Sequence, residues 1–94
     1  MFVINPSDTN REYKISFRHE IDHENGGGLT QCFIEAKSPS GEWVRHSSGI
    51  ATCVKEDNYD RRIGRKLSLA RALSAYDRDF RSDVWEAYFR NCKL

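Results

Sequence analysis

The chain changes its hydrophobic period part-way along. Residues 12–21, EYKISFRHEI, alternate Tyr13, Ile15, Phe17 and Ile21 with Lys14, Ser16, Arg18 and Glu20. Successive side chains of an extended strand point to opposite faces, so this period of two predicts a half-buried strand. His19 falls on its apolar side. LTQCFIEAK at 29–37 predicts a second strand, with Cys32, Ile34 and Ala36 on one face and Leu29 and Phe33 on the other. A third is expected from Trp43 to about Val54. It should be bent or bulged around Ser47, Ser48 and Gly49, where small residues interrupt the pattern. The N-terminal FVI is a candidate short edge strand, ended by Pro6. DHENGGG must be a loop and SPSGE a turn.

Helical spacing takes over after this. Asp57 or Asn58 can cap a helix that begins near Tyr59. Tyr59, Ile63, Leu67, Ala70 and Leu73 then fall on one face, which is the expected core stripe. Arg61, Arg65 and Ser68 are expected opposite it. YDRD at 76–79 breaks the pattern. A second helix should run from about Asp79 or Ser82 to Asn91, with Phe80, Val84 and Tyr88 as one stripe and Trp85, Phe89 and Cys92 beside it. The fold class expected is a two-layer α+β domain over residues 1–94. A three-stranded antiparallel meander is followed by two C-terminal helices, the long basic one on a sheet face and a shorter aromatic one over an end or flank.

One residue is out of place in the first helix. In YDRRIGRKLSLARAL, Gly64 costs about 1 kcal/mol relative to alanine. It must let something approach closely. A crossing with the second helix, or an aromatic ring, is the structural candidate; a partner is the functional one.

Composition narrows the function classes. The 94 residues carry 15 Lys+Arg and 14 Asp+Glu, a formal net charge of +1, with 38% hydrophobic and 31% charged residues. This is a folded-domain profile, and it gives no bulk attraction to nucleic acid or anionic lipid. Any electrostatic binding must come from local segregation of charge. Three cysteines, Cys32, Cys53 and Cys92, without a C-x-x-C pair, do not make a disulfide framework. MFVINPSDTN lacks the basic and apolar regions of a signal peptide, and no apolar run approaches a membrane span. The expected compartment is a reducing cytoplasm.

Segregated charge does exist. Arg61 with Arg65, and Arg62 with Lys66, stand four residues apart and project in pairs. Such a comb suits phosphates or an acidic protein surface. Trp85, Tyr88 and Phe89 cannot all face one narrow stripe, so Trp85 or Tyr88 is expected as an exposed anchor for a protein partner. A homodimer through that helix is a further option. HEIDHE at 19–24 offers ligand types but no third convergent ligand, so no metal is expected. Cys53 reads as structural despite His46 nearby. No P-loop, nucleophile elbow or paired-acid pattern occurs. The expectation is a non-enzyme without cofactors.

The element order, with G-x-A leaving the last strand and basic residues early in the helix, resembles the back half of double-stranded-RNA-binding domains. That likeness implies RNA contacts from the first inter-strand loop, with His23 and Asn25, and from Arg61, Arg62, Arg65 and Lys66. The chain departs from the pattern in three ways. It lacks a leading helix and the K-K-x-A-K motif, and its loop is acidic.

Gly49 to Leu73, GIATCVKEDNYDRRIGRKLSLARAL, reads as G-x-A-x-C followed by D-x-F/Y-x-R-x-x-G-R-K-x-A/S-L-x-R-A-L. Arg81, Val84, Trp85, Tyr88, Phe89 and Arg90 follow in a compatible spacing. This resembles small accessory proteins of tailed bacteriophages. The resemblance implies a phage product that binds and blocks a host or defence protein in the manner of an anti-CRISPR. Arg61, Arg62, Arg65 and Lys66 would meet an acidic surface or occupy a nucleic-acid path, and Trp85 or Tyr88 would anchor. Nucleic-acid binding by helix 59–75 with loop 22–28 is the alternative. A third is a sponge for a nucleotide signal, held by arginines beside Gly64.

Overall fold

A computed structural model of the chain describes residues 1–5, 11–21, 27–53 and 61–91. Four strands form one antiparallel sheet in the order β1 (Phe2–Ile4), β2 (Tyr13–Ile21), β3 (Gly28–Lys37) and β4 (Trp43–Cys53). The N-terminal FVI is thus a full member of the sheet, which has four strands and not three; Phe2 pairs with Ile15 and Ile4 with Tyr13. Helix α1 (Arg61–Ala72), a single 3-10 turn (Leu73–Ala75) and helix α2 (Arg78–Asn91) follow. The described residues give α1 12 residues and α2 14; the expected start of the first helix near Tyr59 lies outside the described residues.

Period-two alternation decides the faces of the sheet. Tyr13, Ile15, Cys32, Ile34, Ala36 and Ala51 are buried beneath the helices. Lys14, Phe33, Glu35 and Arg45 point the other way, since they sit one residue out of phase along the same strands. The β3–β4 register slips by one residue. Ile34 pairs with Ser47 and Glu35 with Arg45, which leaves His46 as the extra residue. The bulge therefore sits just ahead of the small-residue stretch where it was expected.

Helix α2 begins at a side-chain cap. Asp77 accepts a hydrogen bond at Oδ1 from the Phe80 backbone N–H, 2.9 Å. The polar YDRD segment is thus the start signal of the helix. Phe80, Val84 and Tyr88 turn into the core as their spacing predicts, and Ala87 joins them. Tyr88 meets Phe2 and Phe17 with ring centroids 6.3 and 6.1 Å away, and Phe80 meets Tyr13 at 4.9 Å. Aromatic packing of this kind ties α2 to β1 and β2. Cys32 lies fully enclosed beneath the helices, and burial pushes its thiol up to about 12.

Candidate functional site

Helix α1 sits on the sheet by a different face from the one its large apolar residues mark. Gly64, Ser68, Leu69 and Ala72 are buried. Of the expected core stripe, Ile63 and Leu67 are 57% and 44% exposed and Ala70 is exposed beside them, while Leu73, just past the helix, is buried as expected. Ser68, expected on the outer face, has no exposed surface. At 100° per residue the helix is turned by roughly 150° from the orientation hydrophobicity alone predicts.

The cause is close approach. Gly64, Ser68 and Ala72 recur at i, i+4 and i+8 and form a seam of small side chains facing β3 and β4. A Cβ on Gly64 would overlap the Thr30 hydroxyl. One on Gly49 would overlap the Ser68 carbonyl oxygen and the Ala72 nitrogen, so strand and helix touch backbone to backbone. Ser47 Oγ donates to the Ala72 carbonyl at 2.6 Å, and Arg71 Nη1 donates to the Ile50 carbonyl at 2.5 Å. Gly64 therefore serves the protein's own sheet. Its neighbour is a strand threonine, not the second helix or a ring. Tight fit plus several polar contacts outweighs burial of Ile63 and Leu67, which would hold the helix farther off.

This rotation divides the basic comb. Arg61, Arg62 and Lys66 are exposed, while Arg65 is partly buried, with its Nε enclosed and no acceptor for it among the described residues. On that flank His19 Nδ1 lies 2.9 Å from Thr30 Oγ1. Burial lowers the pKa of His19 from its ordinary value, and the charges of Arg65 and then Arg61 lower it further. On the other flank Lys66 Nζ stands 5.8 Å from the ring centroid of Phe89.

Phe89 is 57% exposed and stacks on half-buried Trp85 with centroids 5.8 Å apart. Tyr88, expected as a surface anchor, is 2% exposed and belongs to the core. The exposed aromatic position falls to Phe89 because the helical stripe through Phe80 and Val84 carries Tyr88 inward. The site is therefore the exposed helical surface: Ile63 and Leu67 form an apolar ridge on α1, and Phe89 with half-buried Trp85 lies on α2, linked to it by the approach of Lys66 to the Phe89 ring, with Arg62 next to Ile63. Asp57, Asn58 and Tyr59 at the helix start, the loop residues His23 and Asn25, and Cys92 lie outside the described residues, as does the Cys53 side chain.

Sequence reasoning placed Ile63 and Leu67 in the core, and among the three aromatics of α2 it chose Trp85 or Tyr88 over Phe89 as the exposed one. The spacing of Gly64, Ser68 and Ala72 was the available signal, since three small residues on one face mark a helix that packs closely. A groove of about 410 Å³ between β1 and α2 is lined by Asp83, Glu86 and Arg90 among others. Its walls mix both signs of charge and lie away from the ridge. No protein-family model, no curated protein and no solved structure matches the chain.

Proposed function

We propose that this chain is a small non-catalytic binding protein that occludes a bacterial host or defence protein, and that it docks through the exposed helical surface. The observation that carries this is the exposure of Ile63 and Leu67 one turn apart on α1, with Lys66 of the same helix standing against the exposed Phe89 ring of α2. Monomeric proteins seldom leave large apolar side chains grouped on the surface without a use for them. An aromatic and aliphatic centre with a charged rim is the anatomy of a protein interface. Arg62 and Lys66 beside the ridge, with Arg61 on the same helix, favour an acidic partner surface. The resemblance of Gly49–Leu73 to phage accessory proteins supplies the class of partner, a host machine in the bacterial cytoplasm.

Nuclease-treated capture from bacterial lysate, followed by an activity assay of the captured protein, tests this reading. A stoichiometric partner whose activity falls on adding the chain supports it. Capture of no stoichiometric protein partner, or of one whose activity the chain leaves unchanged, refutes it.

A further inference from the structure

The sheet face turned away from the helices carries a second pattern, independent of the ridge. None of its described side chains is buried. Two aromatic rings lie on it, Phe33 on β3 and Trp43 on β4, and each has a cation against it. The Arg45 guanidinium carbon stands 4.2 Å from the Phe33 ring centroid. Lys14 and Lys37 place their Nζ atoms 4.9 and 5.9 Å from the Trp43 ring centroid.

Strand register sets the spacing of the rings. Trp43 pairs with Lys37, four residues along β3 from Phe33. At about 3.4 Å per residue the two rings are roughly 13 Å apart along the sheet. That separation suits two non-adjacent bases of one strand.

The charges on this face are lightly held. Lys14 pairs with Glu35 at 3.6 Å, both partly buried, and Lys37 with Glu12 at 3.9 Å, both exposed. Both contacts are long, and an exposed pair such as Lys37–Glu12 contributes little and exchanges readily. Arg45 has its ring contact and no carboxylate within ion-pairing distance among the described residues.

We propose that this face binds single-stranded nucleic acid. Bases stack on Trp43 and on the Phe33–Arg45 pair, and Lys14, Lys37 and Arg45 take the phosphates. Aromatic rings flanked by cations are the two components such binding uses, stacking for the bases and charge for the backbone. A duplex does not fit, because its bases are already stacked on one another. A protein partner fits poorly as well, since interface centres are depleted in lysine and glutamate, and here Lys14, Glu35 and Lys37 lie among the rings.

The test uses the full chain with Trp85→Phe, which leaves Trp43 as the sole tryptophan reporter. Oligo(dT) of about twelve nucleotides is titrated in and Trp43 fluorescence followed. The expected result is quenching on binding, with log affinity falling against log salt at a slope of roughly −2 to −3, from three to four phosphates. Phe33→Ala and Arg45→Gln, each checked for an unchanged thermal melt, should weaken binding by roughly five- to a hundredfold. A blunt duplex of the same length should bind more weakly than the single strand.

No quenching up to about 100 µM oligonucleotide overturns the proposal. So does equal binding of the duplex, or binding that survives both sheet variants and is lost on charge reversal of Arg61, Arg62 and Lys66, which would move the contact to α1. Loss of a captured protein partner in the sheet variants, with no oligonucleotide bound, would assign the face to protein and also refute it. Phe33 and Arg45 lie on the opposite layer from the ridge, so failure of the sheet variants leaves the ridge reading standing; only the Trp85→Phe background and the charge reversal on α1 touch residues beside it.

Discussion

Gly64 of α1 lies so close to Thr30 of β3 that a single added methyl group would overlap the threonine hydroxyl. Thr30 is fully buried and holds His19, so it has no free direction in which to retreat. Gly64→Ala gains up to about 1 kcal/mol of helix propensity and incurs about 1–3 kcal/mol of overpacking. The expected net is a destabilisation of about 1–2 kcal/mol in urea denaturation. Thr30→Ala should recover part of it, so that the double mutant is more stable than the sum of the single changes by at least about 0.5 kcal/mol. Simple additivity would mean that the two residues do not meet.

Gly49→Ala is expected to be worse. The intruding atom meets the backbone of Ser68 and Ala72, which cannot rotate aside as a side chain can. A loss of about 3 kcal/mol or more should follow, with α1 lifted from the sheet. Hydrogen exchange of the α1 amides would show this as loosened protection confined to that helix. Protection equal to the wild type would contradict the backbone-to-backbone seam.

Core and ridge aromatics on α2 should behave oppositely. Tyr88→Ala should cost about 3–5 kcal/mol. Phe89→Ser, one residue on, should change stability by about 0.5 kcal/mol or less. Thermal melts of the two variants side by side decide whether the stripe assignment is right.

His19 gives the stability a pH dependence of defined sign. Burial, then Arg65 and Arg61, hold its folded pKa below the ordinary 6.5. The unfolded chain therefore takes up a proton near that pH while the folded chain resists it. The contribution is fully present above pH 6.5 and is lost as pH falls through the lower folded value. Denaturation midpoints should drop between neutral pH and pH 5, and His19→Gln should flatten that part of the curve. Removing charge with Arg65→Met should raise the His19 pKa, as read by NMR titration.

Cys32 should be inert in the folded state. With its thiol pushed up to about 12 and no exposed surface, it offers no thiolate near neutral pH. Peptide mapping after iodoacetamide treatment should find Cys32 modified only after denaturation. Native-state alkylation at that position would contradict the packing beneath the helices.

Much of the sheet was legible in the sequence because a strand has only two faces. Alternation sorted Cys32, Ile34 and Ala36 from Phe33 correctly, and the inward stripe Phe80, Val84, Tyr88 followed from helical spacing in α2. The edge strand was visible only as a candidate, since three residues are too few to show a period. Helix α1 was misjudged because hydrophobicity ranks Ile63 and Leu67 above Gly64, Ser68 and Ala72. Contact distance ranks them the other way, and it depends on Thr30 and Gly49, more than a dozen residues away in sequence. The candidate site inherited that error. Arg61, Arg62 and Lys66 stayed on the surface as expected, but the apolar anchor moved from Tyr88 to Phe89, with Ile63 and Leu67 joining it.

The central claim is that the small-residue seam frees the large residues of α1 for a partner. The most direct test is quantitative capture by the wild-type chain and by the double variant Leu67→Ser, Phe89→Ser, from nuclease-treated lysate at low and high salt. The account predicts one stoichiometric bacterial protein on the wild type, retained at high salt, and its loss from a double variant whose melting temperature is unchanged. Equal capture by both proteins would contradict the claim and leave the exposed ridge without a role.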